Sequence, residues 1–169
     1  MAIRVATNFL LIAMLLLGSQ LAGAELTPVA EAIKSAGYIS VPITRDKSGG
    51  LQVEGRINGE TLQLRIDLGN DEALFDIRRL KTMALELEKT EVVIPTKRKN
   101  IRIYTTRIAG LEFESKSTGA ITIHAGDIDA LYNVRPGHEG PDGVLGMAFL
   151  TRHNGLLDLA NMKLHLKLR

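Results

Sequence analysis

The residues best suited to chemistry lie in one short stretch, Leu62-Gln63-Leu64-Arg65-Ile66-Asp67-Leu68-Gly69-Asn70. Leu62, Leu64 and Ile66 alternate with polar residues, the pattern of a half-buried β-strand. That strand runs directly into an acidic turn. Gly69 and Asn70 tolerate positive φ, so the turn can be tight and can present the Asp67 carboxylate rather than hide it. A carboxylate presented in this way can take or give a proton. Other candidates form weaker patterns. His124, Asp127, Asp129 and His138 are of zinc-ligating types, but their spacing fits no metal pattern, so neither metal nor cofactor is expected. Ser115 and Ser117 sit in a Lys-rich turn without the flanking glycines of a nucleophile elbow. Lys97, Arg98 and Lys99 read as a solvated hairpin tip.

Short strands must position these groups. Tyr38 to Ile43 reads as a first strand, with Pro42 suiting an edge. Leu51 to Ile57 alternates and meets Asn58-Gly59, a strong hairpin signal, so the strand that carries Asp67 is expected to return along it. Ala73-Leu74-Phe75 is a short apolar run, and Asp76 stands where a helix N-cap belongs, ahead of Ile77 to Met83. Glu91 to Ile94 and Ile101 to Tyr104 flank Pro95-Thr96-Lys97-Arg98-Lys99-Asn100 as a further hairpin. Gly119 to Ile123 is another strand, and residues 124–141 read as a long irregular segment. Asp142 to Leu150 is a buried-looking run that passes into a short helix, with His153 just beyond it. Residues 156–168 read as a closing hairpin bent at Ala160-Asn161-Met162, with His165 on its solvent face. Many short strands with two short helices predict an all-β domain of barrel or sandwich type.

The N-terminus reads as a targeting segment. Arg4 precedes an apolar run from Phe9 to Leu17, and Ala22-Gly23-Ala24 has cleavage-site spacing. Residues 1–24 are therefore expected to be a signal peptide cleaved near Ala24, an uncleaved anchor being the alternative. Residues 25–37 follow as a lead-in with one or two helical turns, and 38–169 as the domain. The expected location is periplasmic or secreted, with no membrane attachment after cleavage. Removing Arg4 with the signal lowers the net charge from +2 to +1. Dispersed basic residues and 4% aromatic content argue against nucleic-acid binding. The chain has no cysteine, so the domain must be held by its core alone.

In three features taken in chain order, the sequence resembles the retropepsin-like aspartic proteases, in particular bacterial single-domain members. These are Ile66-Asp67-Leu68-Gly69, where the family has Asp-Thr-Gly or Asp-Ser-Gly; the following Ala73 to Leu80; and Gly143-Val144-Leu145-Gly146 leading into a helix. Leu157 to Leu164 resembles the family's terminal hairpin, so the likeness spans residues 38–169. It implies a closed β-barrel whose active site combines two Asp-containing turns. This chain supplies one such turn, and Asp142-Gly143 belongs to the other motif.

The resemblance therefore implies a homodimer acting on a peptide or protein substrate, with Asp67 catalytic in each chain. Leu68, Gly69 and Asn70 would complete the active-site turn, and Pro95 to Asn100 would form a flap. Two departures stand out. Leu68 replaces the hydroxyl residue that ties the two turns together, and Asn70 replaces a small residue beside the aspartate. Asp71 and Glu72 are expected to push the Asp67 pKa upward if they lie close. The expected function is an aspartic endopeptidase; the alternative is an inactive peptide-binding or assembly module.

Overall fold

The computed structural model describes residues 28–97, 99–134 and 140–168. The signal segment expected at 1–24, together with Arg98 and His138, lies outside them. Helix α1 (Pro28–Ser35) belongs to one compact unit and everything from Gly37 onward to another. Glu31 in its first turn and Lys34 in its last complement the helix dipole.

The second unit grows from the hairpin that carries Asp67. Strands β1 (Ile39–Arg45), β2 (Leu51–Ile57) and β3 (Glu60–Ile66) follow one another. Asn58 and Gly59 join β2 to β3 with φ of 53° and 83°, the two left-handed residues of a type I′ turn. The resulting register pairs Ile57 with Glu60 and Gln52 with Arg65. It puts Val53, Ile57, Leu62, Leu64 and Ile66 on one buried face.

Strand β4 (Leu74–Asp76) does not pair with β3 directly. A much later strand, β10 (Gly143–Leu145), lies between them, parallel to β3 and antiparallel to β4. Every residue of β4 and β10 is buried. Phe75 and Leu145 enter the main core with Leu62, Leu64 and Phe149. Leu74 and Val144 enter a second cluster with Ile101, Ile103 and Ile128. Burial on both faces is why Gly143-Val144-Leu145 reads as an unbroken apolar run.

Beyond β4 come β9 (Ile121–Gly126), β6 (Asn100–Ile108) and β5 (Glu88–Pro95). At the other end, β1 pairs with β12 (Lys163–Leu166), which pairs with β11 (Leu156–Asp158). A small hairpin of β7 (Glu112–Phe113) and β8 (Lys116–Ser117) is attached to β2. Three short helices complete the described part of this unit: α2 (Ile77–Thr82), α3 (Ile128–Leu131) and α4 (Met147–Arg152).

The mostly-β character with short helices agrees with the sequence reading, but the closed barrel does not. Among the described residues the sheet is open, running from β11 to β5 with no pairing between these two ends. Strand β11 has only three residues, and β5 is largely exposed, bears Glu88, Lys89 and Glu91, and shifts register between Lys89 and Val93. Charges and a bulge on an edge strand disfavour further pairing.

Other local readings also change. Pro42 is not on an edge strand: β1 hands over from β12 to β2 between Pro42 and Ile43, a break that tolerates a missing N–H. The segment read as irregular from residue 124 contains the end of β9 and then α3, capped by Asp127, whose carboxylate accepts the Ala130 N–H at 2.9 Å. His165 is buried rather than solvent-facing, at 4% exposure, and shares a 2.9 Å hydrogen bond with its cross-strand partner Ser40. His153 ends α4, and burial together with the Arg152 charge lowers its pKa.

Candidate active site

Asp67 follows β3 directly, and its N–H donates to the Leu145 carbonyl of β10 at 3.2 Å. The turn after it is braced by the start of α4. The Met147 and Ala148 N–H groups donate to the carbonyls of Asn70 and Asp71 at 2.8 and 2.7 Å. These are first-turn amides with no partner inside the helix, so the turn satisfies them while they fix its course. The approach is close enough to require glycine at position 146. A Cβ there would stand 2.4 Å from the Glu72 carbonyl oxygen and 2.7 and 2.8 Å from those of Asn70 and Asp71.

The Asp67 carboxylate is half-buried, and both of its oxygens are engaged. Oδ1 accepts the Gly69 N–H at 2.9 Å. Oδ2 accepts the Asn70 side-chain amide at 2.8 Å and the Tyr132 hydroxyl at 2.5 Å. Tyr132 is the residue that caps the C-terminus of α3. Burial favours the protonated acid, but the donors from Tyr132, Gly69 and Asn70 and the charge of Arg65 outweigh it. Asp67 is thus held below the ordinary aspartate value, the reverse of the shift expected from Asp71 and Glu72. Burial and the adjacent carboxylate push the Tyr132 phenol well above its usual range, so it remains a donor.

The other sequence candidates are distributed around this group. Leu68 is 54% exposed beside Asp67. Asn70 proves to be a donor to the carboxylate and not merely a lining residue. Gly143, Val144 and Leu145 form β10, and Gly146 supports the turn. By register, Asp142 lies opposite Gln63, four residues along β3 from Asp67, and accepts the Gln63 N–H at 2.7 Å. That places it about 13 Å away along the strand. Asp127 and Asp129 pair with Lys99 and Arg78 respectively. Tyr132 went unnoticed in the sequence because no local pattern links it to a carboxylate 65 positions earlier.

Pro95 to Asn100 closes the β5–β6 hairpin, where Thr96 Oγ1 donates to the Lys99 carbonyl at 2.7 Å. Lys97 and Lys99 are exposed, and Lys99 forms its ion pair across to Asp127 at the start of α3. Between this hairpin and the turn lies a mostly apolar cleft of about 360 Å³, bounded by Val92, Ile94, Ile103, Leu74, Leu131 and residues 70–73.

No protein-family model and no curated protein matches the chain. Solved structures do. A retropepsin-like aspartic protease from Rickettsia conorii superposes with a TM-score of 0.51 at 16% identity, covering 77% of this chain and 90% of its own. The retroviral protease-like domain of Ddi1 from Leishmania major gives 0.50 at 15% identity, covering 69% and 87%. The chain has the fold of the retropepsin-like aspartic proteases.

Proposed function

We propose that this protein is an aspartic endopeptidase that works as a homodimer in the periplasm or outside the cell, with one Asp67 from each chain. The observation that carries this reading is the braced turn. A half-buried carboxylate stands on a turn whose backbone is fixed by β10 and α4, near an apolar cleft beside a hairpin. Such a cleft suits the side chain of an extended peptide. The protease neighbours support the same reading at the level of fold.

Across a two-fold axis, two Asp67 carboxylates within a few ångströms could not both stay ionised, so one would retain a proton. The ionised member would take a proton from water as that water attacks the peptide carbonyl carbon. The protonated member would deliver its proton to the carbonyl oxygen, giving a neutral tetrahedral diol. The carboxyl that took the water proton would then give it to the amide nitrogen while the other removes a diol proton. The C–N bond thereby breaks to release the amine and the carboxylic acid. One chain supplies half of this arrangement, so the activity would require the dimer.

One observation favours the alternative, a non-catalytic peptide-binding module: Oδ2 of Asp67 is already occupied by Asn70 and Tyr132. The deciding experiment incubates the domain from residue 25 onward with a mixed peptide library from about pH 4 to pH 7. Mass spectrometry reads the products, beside the Asp67→Asn variant. Cleavage that disappears in the variant supports the endopeptidase. A folded, dimeric sample that cleaves nothing refutes it and leaves the binding module.

A further inference from the structure

Two side chains hold Asp67 Oδ2, and they also hold each other. The Asn70 amide donates to the Tyr132 hydroxyl at 2.7 Å while both donate to Oδ2, making a closed triangle of polar contacts. Tyr132 is fixed independently of this triangle. Ile128 and Ala130 of α3 are buried in the second apolar cluster. The Arg65 guanidinium lies 5.2 Å from the Tyr132 ring centroid, a cation–π contact. Arg65 is in turn tied to Asp46 and, at 2.8 Å, to Ser48 Oγ. A chain of fixed groups thus leads from the Asp46 turn through Arg65 and Tyr132 to the carboxylate.

The two carboxylate oxygens differ as a result. Among the described residues Oδ1 accepts only the Gly69 N–H, so it retains a free lone pair, whereas Oδ2 carries two donors. We propose that Tyr132 is a positioning residue for Asp67: its hydroxyl, with the Asn70 amide, pins Oδ2 from within one chain and leaves Oδ1 as the oxygen that takes the proton from water. This rests on the reading of Asp67 as the reacting carboxylate. It assigns Asn70 and Tyr132 one joint task, and it fixes the carboxylate without any group from a second chain. Orientation of this kind acts on the chemical step, because a carboxylate free to rotate presents its basic lone pair correctly for only part of the time.

The test uses Tyr132→Phe, which keeps the ring against Arg65 and removes only the hydroxyl. The other ionisable groups around the turn are unchanged: Arg65 on β3, Asp71 and Glu72 on the turn, and His124 on β9. Two readouts are taken on the domain from residue 25 onward. In the first, carbon-13 NMR follows the Asp67 carboxyl through an acid titration, assigned by its loss in Asp67→Asn. The Phe variant is expected to titrate at higher pH than the parent, and an unchanged midpoint overturns the proposal.

The second readout is peptide cleavage. We expect kcat to fall about ten- to a hundredfold with KM nearly unchanged, and the acid limb of the pH profile to move upward. An unchanged or higher kcat overturns the positioning role. Should the folded, dimeric parent cleave nothing, the endopeptidase reading fails; a moved midpoint would then still establish the clamp, and an unmoved one would remove it. If the Phe variant does not fold, Asn70→Ser removes the other arm and is expected to raise the midpoint by a smaller amount; no rise overturns the proposal.

Discussion

Asp67 and Asp76 stand nine residues apart at the ends of two strands that both border β10, and both carboxylates are well supplied with hydrogen bonds. Asp76 is 4% exposed. Its Oδ1 accepts the Arg78 and Arg79 N–H groups at 2.8 and 3.3 Å, and Oδ2 accepts Arg78 Nη2 at 2.8 Å. All its donors come from the next three residues, so one turn of helix α2 closes around it. Asp67 draws one donor from its own turn backbone, one from a neighbouring side chain and one from Tyr132, the residue that caps α3. The contrast teaches that the number of hydrogen bonds does not mark a reactive carboxylate. What distinguishes Asp67 is that it is half-buried and draws one donor from a distant residue, Tyr132, whereas Asp76 is almost fully buried and ion-paired with Arg78 of its own helix.

The sharpest test of this contrast replaces each aspartate in turn. Asp67→Asn should reduce cleavage at least about a thousandfold with only a small drop in the thermal midpoint. Asp76→Ala should do the opposite, costing about 1–2 kcal/mol of stability by loss of the helix cap with activity per folded molecule retained. Chemical denaturation and initial rates measure the two effects. Equal loss of activity in both variants would break the contrast.

Gly146→Ala comes next in size. Its Cβ would meet three backbone carbonyl oxygens of the Asp67 turn at 2.8 Å or less. The turn must move, at a cost of about 1–3 kcal/mol, and crystallography or the Asp67 titration should register the displacement. An unaltered turn would show that α4 does not brace it.

A smaller effect appears in the pH dependence of stability. Burial opposes ionisation of Asp46, but Ser48, Arg65 and Gly50 outweigh it and lower its pKa from 3.8 to about 2. A lowered folded-state pKa contributes stability that is present above the unfolded value and is lost as pH falls through the folded one. Acid unfolding should therefore steepen between pH 3.8 and about 2, and Asp46→Asn should flatten that limb. The Asp67 shift has the same sign, so Asp67→Asn should flatten it as well. An unchanged slope in both variants would refute these assignments.

The smallest expected effect concerns Leu68, which is exposed in the single chain. Leu68→Thr should alter monomer stability by no more than about 0.5 kcal/mol. If two Asp67 turns meet across an axis, it should tighten the dimer by restoring a hydroxyl there, as sedimentation equilibrium would measure. A dimer unaffected by this change would place Leu68 away from the interface.

The sequence by itself determined the elements whose signals are local. Asn58-Gly59 set the β2–β3 hairpin and so the delivery of Asp67, because two left-handed residues specify that turn. Asp76 announced α2 through its capping position, and the apolar run after Gly143 announced a strand buried on both faces. Asp127 ahead of Ile128 carried the same capping signal for α3, within a segment that its prolines and glycines made look irregular. Hydrophobic alternation misjudged His165, since alternation identifies a face but not what covers it.

Tertiary structure alone decided the rest. It left the sheet open, because pairing between terminal strands depends on their lengths, edges and bulges and not on their separate propensities. It inserted β10 between β3 and β4, a consequence of long-range burial. It also brought Tyr132 and Arg65 to the same carboxylate. Spacing could suggest that Asp67 is presented; only the folded chain determines which donors meet it and therefore which way its pKa moves.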